Sequence, residues 1–341
     1  MPPPINLGPG AKISVGAGGT VLAGQSGAIV IRGEGNSVTN NGTIESRDNE
    51  AIQGSIQGER ANKSTIINNG SIKTTSAVDA SVRAGTAATV INSGTIELFG
   101  DNGNPALDTD VGSVVTNNAS GTIRATELNG ATSAVSAVSL FGSSLTNQGK
   151  IEVIGDINGA GRGSAVSVFT FGVAGVSITN SGTIDASKGA RGILANGKTT
   201  IDNSGTILGG TAAAITLGNA EGSEVIFRTG SQVSGVVRVR GATSDLLANA
   251  KLTLDGTGTH GDVVTGFNAV EKRGAGTWTL GSNLQAGSTN FLQGDVRGPL
   301  TVNVGDAGGR LDLTGVLSDA ADGKAFDLAK DGAGTLRLSG N

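Results

Sequence analysis

The chain has no cysteine and no tyrosine, and it carries only 1 tryptophan, 1 histidine, 1 methionine and 8 phenylalanines among 341 residues. Without cysteine there is no disulfide, no thiolate zinc site and no thiol nucleophile, and such a chain is suited to crossing an oxidising compartment without forming crosslinks. The length would allow two compact domains, but so few bulky side chains leave little to fill two ordinary globular cores. No stretch approaches the roughly 18 apolar residues of a membrane helix. The opening MPPPINLGPG has neither the basic nor the apolar region of an export signal, so a fragment of a longer protein is expected. Positive charge is scarce too: 24 Lys+Arg against 28 Asp+Glu give a formal charge of −4. No cationic field or aromatic-interleaved basic stripe is present to meet a phosphate backbone, and nucleic acid is not an expected partner.

Glycine is what the chain has in abundance, 58 residues of it, together with short alternating bursts of Val, Ile, Leu and Ala. Such bursts argue against both disorder and a helical bundle. An apolar-x-Asn-x-Gly-x-Ile element recurs as VTNNGTI, IINNGSI, VINSGTI, LTNQGKI, ITNSGTI and IDNSGTI, with an expanded copy VTNNASGTI and a degraded copy IFRTGSQV. Its turn glycines are Gly42, Gly70, Gly94, Gly121, Gly149, Gly182 and Gly205, with Gly230 in the degraded copy, and successive spacings are 28, 24, 27, 28, 33, 23 and 25 residues. A drifting period describes a fixed turn joined to a loop of free length.

Each turn is flanked by an apolar residue two before the Asn (Val38, Ile66, Val90, Val115, Leu145, Ile178, Ile201) and an Ile two after the Gly. This alternation reads as two strands that each bury one face, and an Ala-led burst upstream, such as AVSAVSL or AVSVF, supplies a third. A three-stranded coil cannot bury its inner face alone, so coils must stack. The expected fold is all-β, a right-handed single-stranded parallel β-helix of the pectin-lyase-like kind with about 12 coils, roughly 60 Å long at about 4.8 Å per coil. Asn40, Asn68, Asn92, Asn117, Asn147, Asn180 and Asn203 fall at one corner, where amides can hydrogen-bond from coil to coil. Asn tolerates the left-handed conformation and Gly accepts positive φ, which is the expected reason for both residues at this turn. In the degraded copy Arg228 stands in the Asn place, and the ladder is expected to end there.

After residue 235 a different element appears twice, VEKRGAGTWTLGS and LAKDGAGTLRLSG. Its aligned positions are Lys272, Gly274, Gly276 and Trp278 in the first copy and Lys330, Gly332, Gly334 and Leu336 in the second. The division expected along the chain is residues 1–37 as N-terminal coils or cap, 38–234 as regular β-helix, and 235–341 as C-terminal coils. The K-x-G-A-G-T-[WL]-x-L element resembles the passenger-associated repeat of bacterial type V autotransporters, and the serial N-x-G-T-I turns look like the β-helical stalks of that family. The resemblance covers nearly the whole chain. It implies display at a Gram-negative cell surface, outer-membrane association in the full-length protein, and adhesion or self-association, with host-cell, matrix or sister-cell protein or glycan as partners. The family's C-terminal membrane β-barrel is not among these residues, so any membrane connection is expected to run through a barrel outside them.

Candidate chemistry is sparse. His260, with Asp262 two residues on and Ser244 upstream, has no nucleophile motif beside it, and DGTGTHGDV reads as a solvated glycine-rich loop. Asp108 and Asp110 alternate on one strand face, with Leu107, Thr109 and Val111 turned inward, and outward acids on a coil are ordinarily just solvated. A β-helical lyase or hydrolase, the alternative function, would need these acids to converge with an Arg of a neighbouring coil in one groove, and Arg83 and Arg124 are the candidates. Arg238 and Arg240 alternate outward and, with Lys272 and Arg273, form a candidate cationic patch for an acidic glycan. GDAGGRLDL matches too little of the calcium nonapeptide to count, and no P-loop, dinucleotide fingerprint or H-E-x-x-H is present, so no metal or cofactor is expected. The insertions Arg47 to Lys63 and Gly155 to Gly163 are the loop candidates for binding. The function expected is a non-catalytic structural and interaction module.

Overall fold

The computed structural model describes residues 4–24, 27–56, 59–60, 63–75, 79–100, 103–127, 135–155, 163–170, 175–189, 191–218, 222–240, 250–267, 269–280, 284–285, 300–304, 307–313, 317–318 and 328–339. Three short strands and their turns make one rung, for example Val82–Ala84, Thr89–Asn92 and Thr95–Gly100. Each strand pairs in parallel with its equivalents one rung away, giving two sheets of thirteen strands and a third face split into nine and four. A small hairpin, Ser55–Ile56 with Glu59–Arg60, is the one antiparallel pairing among the described residues and lies within the charged insertion Arg47 to Lys63. No described residue is helical, and no helix is long and apolar enough to cross a membrane. The chain is an all-β parallel solenoid.

The alternation read from the repeat sets the core. Val38, Ile66, Val90, Val115, Leu145, Ile178 and Ile201 stack in register in the second sheet, and the Ile two after each turn Gly, from Ile44 to Ile207, stack in the third; all are buried. Burial of a Val, Leu or Ile is worth about 1.5–3 kcal/mol, but only once a neighbouring rung covers it. The inner stacks are therefore what joins rung to rung.

The seven asparagines end strands such as Ser37–Asn40 and Thr65–Asn68, fully buried and facing inward. Each Nδ2 donates to the Oδ1 of the next, from Asn40 to Asn68, Asn92, Asn117, Asn147, Asn180 and Asn203, at 2.7–2.8 Å. The same amides donate to carbonyls of their own turn and of the rung ahead, as Asn68 does to Gly70 at 3.3 Å and to Thr95 at 3.0 Å. A buried amide costs free energy unless its donors and acceptor are matched, and this row matches them continuously.

Two expectations about this turn are corrected. None of the seven ladder asparagines and none of the seven turn glycines has positive φ. The asparagine is extended because it finishes a strand. The glycine is required by proximity: a Cβ on Gly94 would lie 2.0 Å from the carbonyl oxygen of Gly70, and on Gly70 2.1 Å from that of Gly42. The turn backbones pack directly on one another, so Gly is selected by the neighbouring rung and not by its own dihedral angles.

The ladder stops at Asn203, but Arg228 is not the residue in its path. Register places Phe227 over Asn203, and Arg228 points outward to Asp202 at 2.6 Å and Asp255 at 2.7 Å. Asn203 Nδ2 instead donates to Ser231 Oγ at 2.9 Å. Beyond this point the core is aromatic: Trp278 lies 6.1 Å from Phe227, its Nε1 donates to the Asp255 carbonyl, and Gly258 leaves room for the ring, since a Cβ there would meet it at 2.5 Å. Here the third face also changes sheet, from Gln232–Ser234 to Gly258–His260.

His260 does not lie in a solvated loop. It ends the Gly258–His260 strand, is buried against Phe227 at 5.8 Å, and has Nδ1 3.2 Å from the Val233 carbonyl across the sheet change. Burial pushes its pKa below the usual 6.5, partly offset by the Val233 carbonyl and by Asp262. The folded state thus favours neutral imidazole: its contribution is complete above about pH 6.5 and is lost as pH falls through 6.5 toward the lower folded value. The thermal midpoint should drop more steeply as pH falls below about 6.5 in the natural chain than in His260→Leu, followed by circular dichroism. Parallel curves would show that this histidine does not set the dependence.

Candidate functional site: the outer face of the first sheet

The outer face of the first sheet is built from alternate residues of the Ala-led strands. One column runs Arg83, Asp108, Ser139, Ser167, Leu194, Thr216 and Arg238 across seven successive rungs. A second, two residues on, runs Phe141, Phe169, Asn196, Gly218 and Arg240. Period-2 alternation sends their neighbours, such as Leu107, Thr109, Val138 and Val166, into the core.

At the N-terminal end of this face Arg83, Asp108, Asp110, Ser139, Phe141 and Phe169 line a depression of about 360 Å³. Register alone brings Arg83 beside Asp108, and the two lie 3.6 Å apart. The convergence of acids with an Arg of an adjacent coil, expected of an enzyme, is therefore present in placement. Arg124, the other candidate, belongs to the third sheet, where it joins Glu97 at 3.2 Å and Glu152 at 2.6 Å.

The groups in the depression are also engaged with one another. Arg83 reaches Asp79 at 2.5 Å, the fully buried Glu50 at 3.2 Å and Asp108, and so ties three consecutive rungs. Asp110 accepts from the Val111 backbone N–H at 2.8 Å and from Thr86 Oγ1 at 3.0 Å, one oxygen each. Burial raises the pKa of Asp108, an effect opposed by Ser139 and by Arg83, and burial likewise raises that of Glu50. Val111 is half-buried in the following turn instead of turned fully inward.

Farther along the face stand Arg191, Arg238 and Arg240, all half-buried. Arg238 Nε donates to Thr216 Oγ1 at 3.2 Å. Burial lowers the pKa of Arg191 and Arg238; Arg240 lowers both further, and Arg191 adds to the effect on Arg238. The expected partners Lys272 and Arg273 are not part of this patch, because they lie on the Ala269–Arg273 strand of the second sheet. Lys272 is fully buried and donates to the Gly274 carbonyl at 2.6 Å, while Arg273 pairs with Glu271 at 2.8 Å. Lys330, exposed, bonds the Gly332 carbonyl in the same way, so the lysine of both repeats pins its own turn. Gly274, Gly276 and Gly332 do adopt positive φ. Trp278 is buried and Leu336 packs partly against the core, whereas Gly334 donates its N–H to the Val304 carbonyl.

Sequence reading missed Phe141, Phe169 and Arg191 as parts of one face. The first two were visible in principle, since AVSLF and AVSVF align rung on rung. Arg191 was not, because the loop lengths that set its register vary. Ser244 and most of the insertion Gly155 to Gly163 lie outside the described residues. No group of three His, Asp or Glu able to hold a metal is found among the described residues.

No curated protein and no solved structure matches the sequence. The family model of the BigA third pectate lyase-like domain matches residues 5–212. That span holds the whole asparagine ladder, the acidic depression and Arg191, and covers more than half of the chain, which therefore belongs to the BigA third pectate lyase-like domain family.

Proposed function

We propose that this pectate lyase-like domain is a non-catalytic structural and interaction module of the autotransporter-passenger kind, displayed at a bacterial surface. Its role is to hold loops and one side face away from the cell, toward host, matrix or sister-cell ligands. The observation that carries this reading is Arg83, whose guanidinium engages Glu50, Asp79 and Asp108 on three rungs. Its charge is used inside the scaffold, and Asp110 is likewise held by Val111 and Thr86. The length supports it too: the thirteen rungs among the described residues make a rod of about 58 Å.

Beads coated with the chain are expected to bind epithelial cells, matrix-coated plates or bacteria several-fold above albumin-coated beads. Equal binding on every surface would sink the adhesive reading. A second reading, a β-helical carbohydrate-active enzyme, is favoured by the depression shared by Asp108, Asp110 and Arg83. Release of reducing ends or unsaturated products from any polysaccharide, abolished by Asp108→Asn and Asp110→Asn, would replace the first reading with the second.

A further inference from the structure

On the second and third faces several cations meet carboxylates of neighbouring rungs. On the third, Lys73 sits in register between Glu45 and Glu97, and Arg124 between Glu97 and Glu152. On the second, Lys251 meets Glu224 at 3.0 Å and Glu271 at 3.1 Å, and Arg228 bridges Asp202 and Asp255. Cations one or two rungs from carboxylates are what a stacked fold needs if a column of charges is not to repel itself.

The first sheet follows it at Arg83 and Asp108 but departs from it farther along. Arg238 and Arg240 form no ion pair among the described residues, and each has another arginine as its charged neighbour. Their positions are set by the fold: Arg238 stacks on Thr216, and Arg240 stacks on Gly218, which has no side chain to cover the guanidinium. Half-buried guanidiniums placed together are costly unless an anion joins them, and their forked donors suit planar or tetrahedral oxyanions.

Three strand steps along the same column from Arg240, about 14 Å away, are Phe169 and then Phe141. Flat apolar rings flanked by Ser139 and Asp108 offer contacts suited to the apolar face and hydroxyls of a sugar. A nucleic acid laid along the face would instead press regular phosphates against Asp108 and Asp110.

We infer that the first-sheet face is an elongated binding site for a polyanionic glycan, whose sulfate or carboxylate groups are bound by Arg238 and Arg240 while neutral sugar units lie toward Phe169 and Phe141. The inference rests on the interaction-module reading and specifies its ligand class.

The test is calorimetric titration of the full chain with a partly desulfated heparin-derived oligosaccharide, a partly methyl-esterified oligogalacturonate and a single-stranded oligonucleotide. The natural chain should bind at least one of the two glycans, with affinity falling as salt rises. Arg238→Gln with Arg240→Gln should weaken it about ten-fold or more. Lys12→Gln with Lys188→Gln, the same charge change elsewhere on the surface, should leave it within about two-fold. Melting curves that match the natural chain keep misfolding out of the comparison. Sulfated and carboxylated probes separate the two sources of the anion. Unchanged affinity in the Arg238/Arg240 variant, equal loss in the lysine variant, or tighter binding of the oligonucleotide than of either glycan would each overturn the inference. Cell or matrix binding by coated beads with no glycan binding would remove this inference and leave the adhesive reading standing. Glycan binding without adhesion would do the reverse.

Discussion

Gly94→Ala is expected to destabilise the rungs around it by about 3 kcal/mol or more, well beyond the usual cost of adding a methyl group in a turn. The new Cβ would stand 2.0 Å from the Gly70 carbonyl oxygen and 2.8 Å from the Asn69 carbonyl carbon and the Gly70 nitrogen. All three are backbone atoms held by the parallel ladder, so relief requires the rungs to separate. Gly16→Ala is the control, because its Cβ meets nothing within 4 Å and its φ is not positive. It should be neutral or slightly stabilising through the unfolded state. Rung energies in a stacked fold are largely local, so the loss belongs in amide hydrogen exchange near residues 65–100 as well as in the denaturant midpoint. If Gly94→Ala and Gly16→Ala behaved alike, direct packing of turn on turn would not be the reason for this glycine.

Asn117→Leu, a change of similar size in the middle of the amide row, should cost about 2–5 kcal/mol. It removes the acceptor 2.8 Å from Asn92 Nδ2 and the donor 2.8 Å from Asn147 Oδ1. Each buried amide hydrogen bond so lost costs about 1–3 kcal/mol, and the low-dielectric interior offers no water in exchange. Asn40→Leu breaks only one inter-rung amide bond, because its neighbour on the other side is Val15. It should cost about half as much, in chemical denaturation under the same conditions. Equal losses at the centre and at the end of the row would mean that each asparagine acts alone, as a local turn former.

The repeat made the rungs legible because it is a contact pattern written into one dimension. Ile66 predicts Val38 and Val90 as neighbours, and the register agrees. The asparagine row was legible for the same reason. Its cause was not: positive φ and close approach both select glycine, and a sequence cannot separate them. The end of the row was misplaced by one residue, at Arg228 instead of Phe227, because the degraded copy keeps its Gly but shifts the strand against the turn. His260 was misread because its glycine-rich surroundings resemble a loop, although Gly258 is small to admit Trp278.

The candidate site was only half visible. Asp108 with Asp110 and Arg238 with Arg240 follow from strict alternation within a strand, which needs no knowledge of any other rung. Arg83 beside Asp108, Arg191 near Arg238, and the separation of Arg238 from Lys272 depend on which strands share a sheet. By itself, then, the sequence determined the local alternation, the repeating turn and the need to stack, because these rest on side-chain periodicity and burial. Only the tertiary structure decided which charges meet across rungs and which glycines touch backbone, because loops of unequal length set the register and register is a property of neighbours.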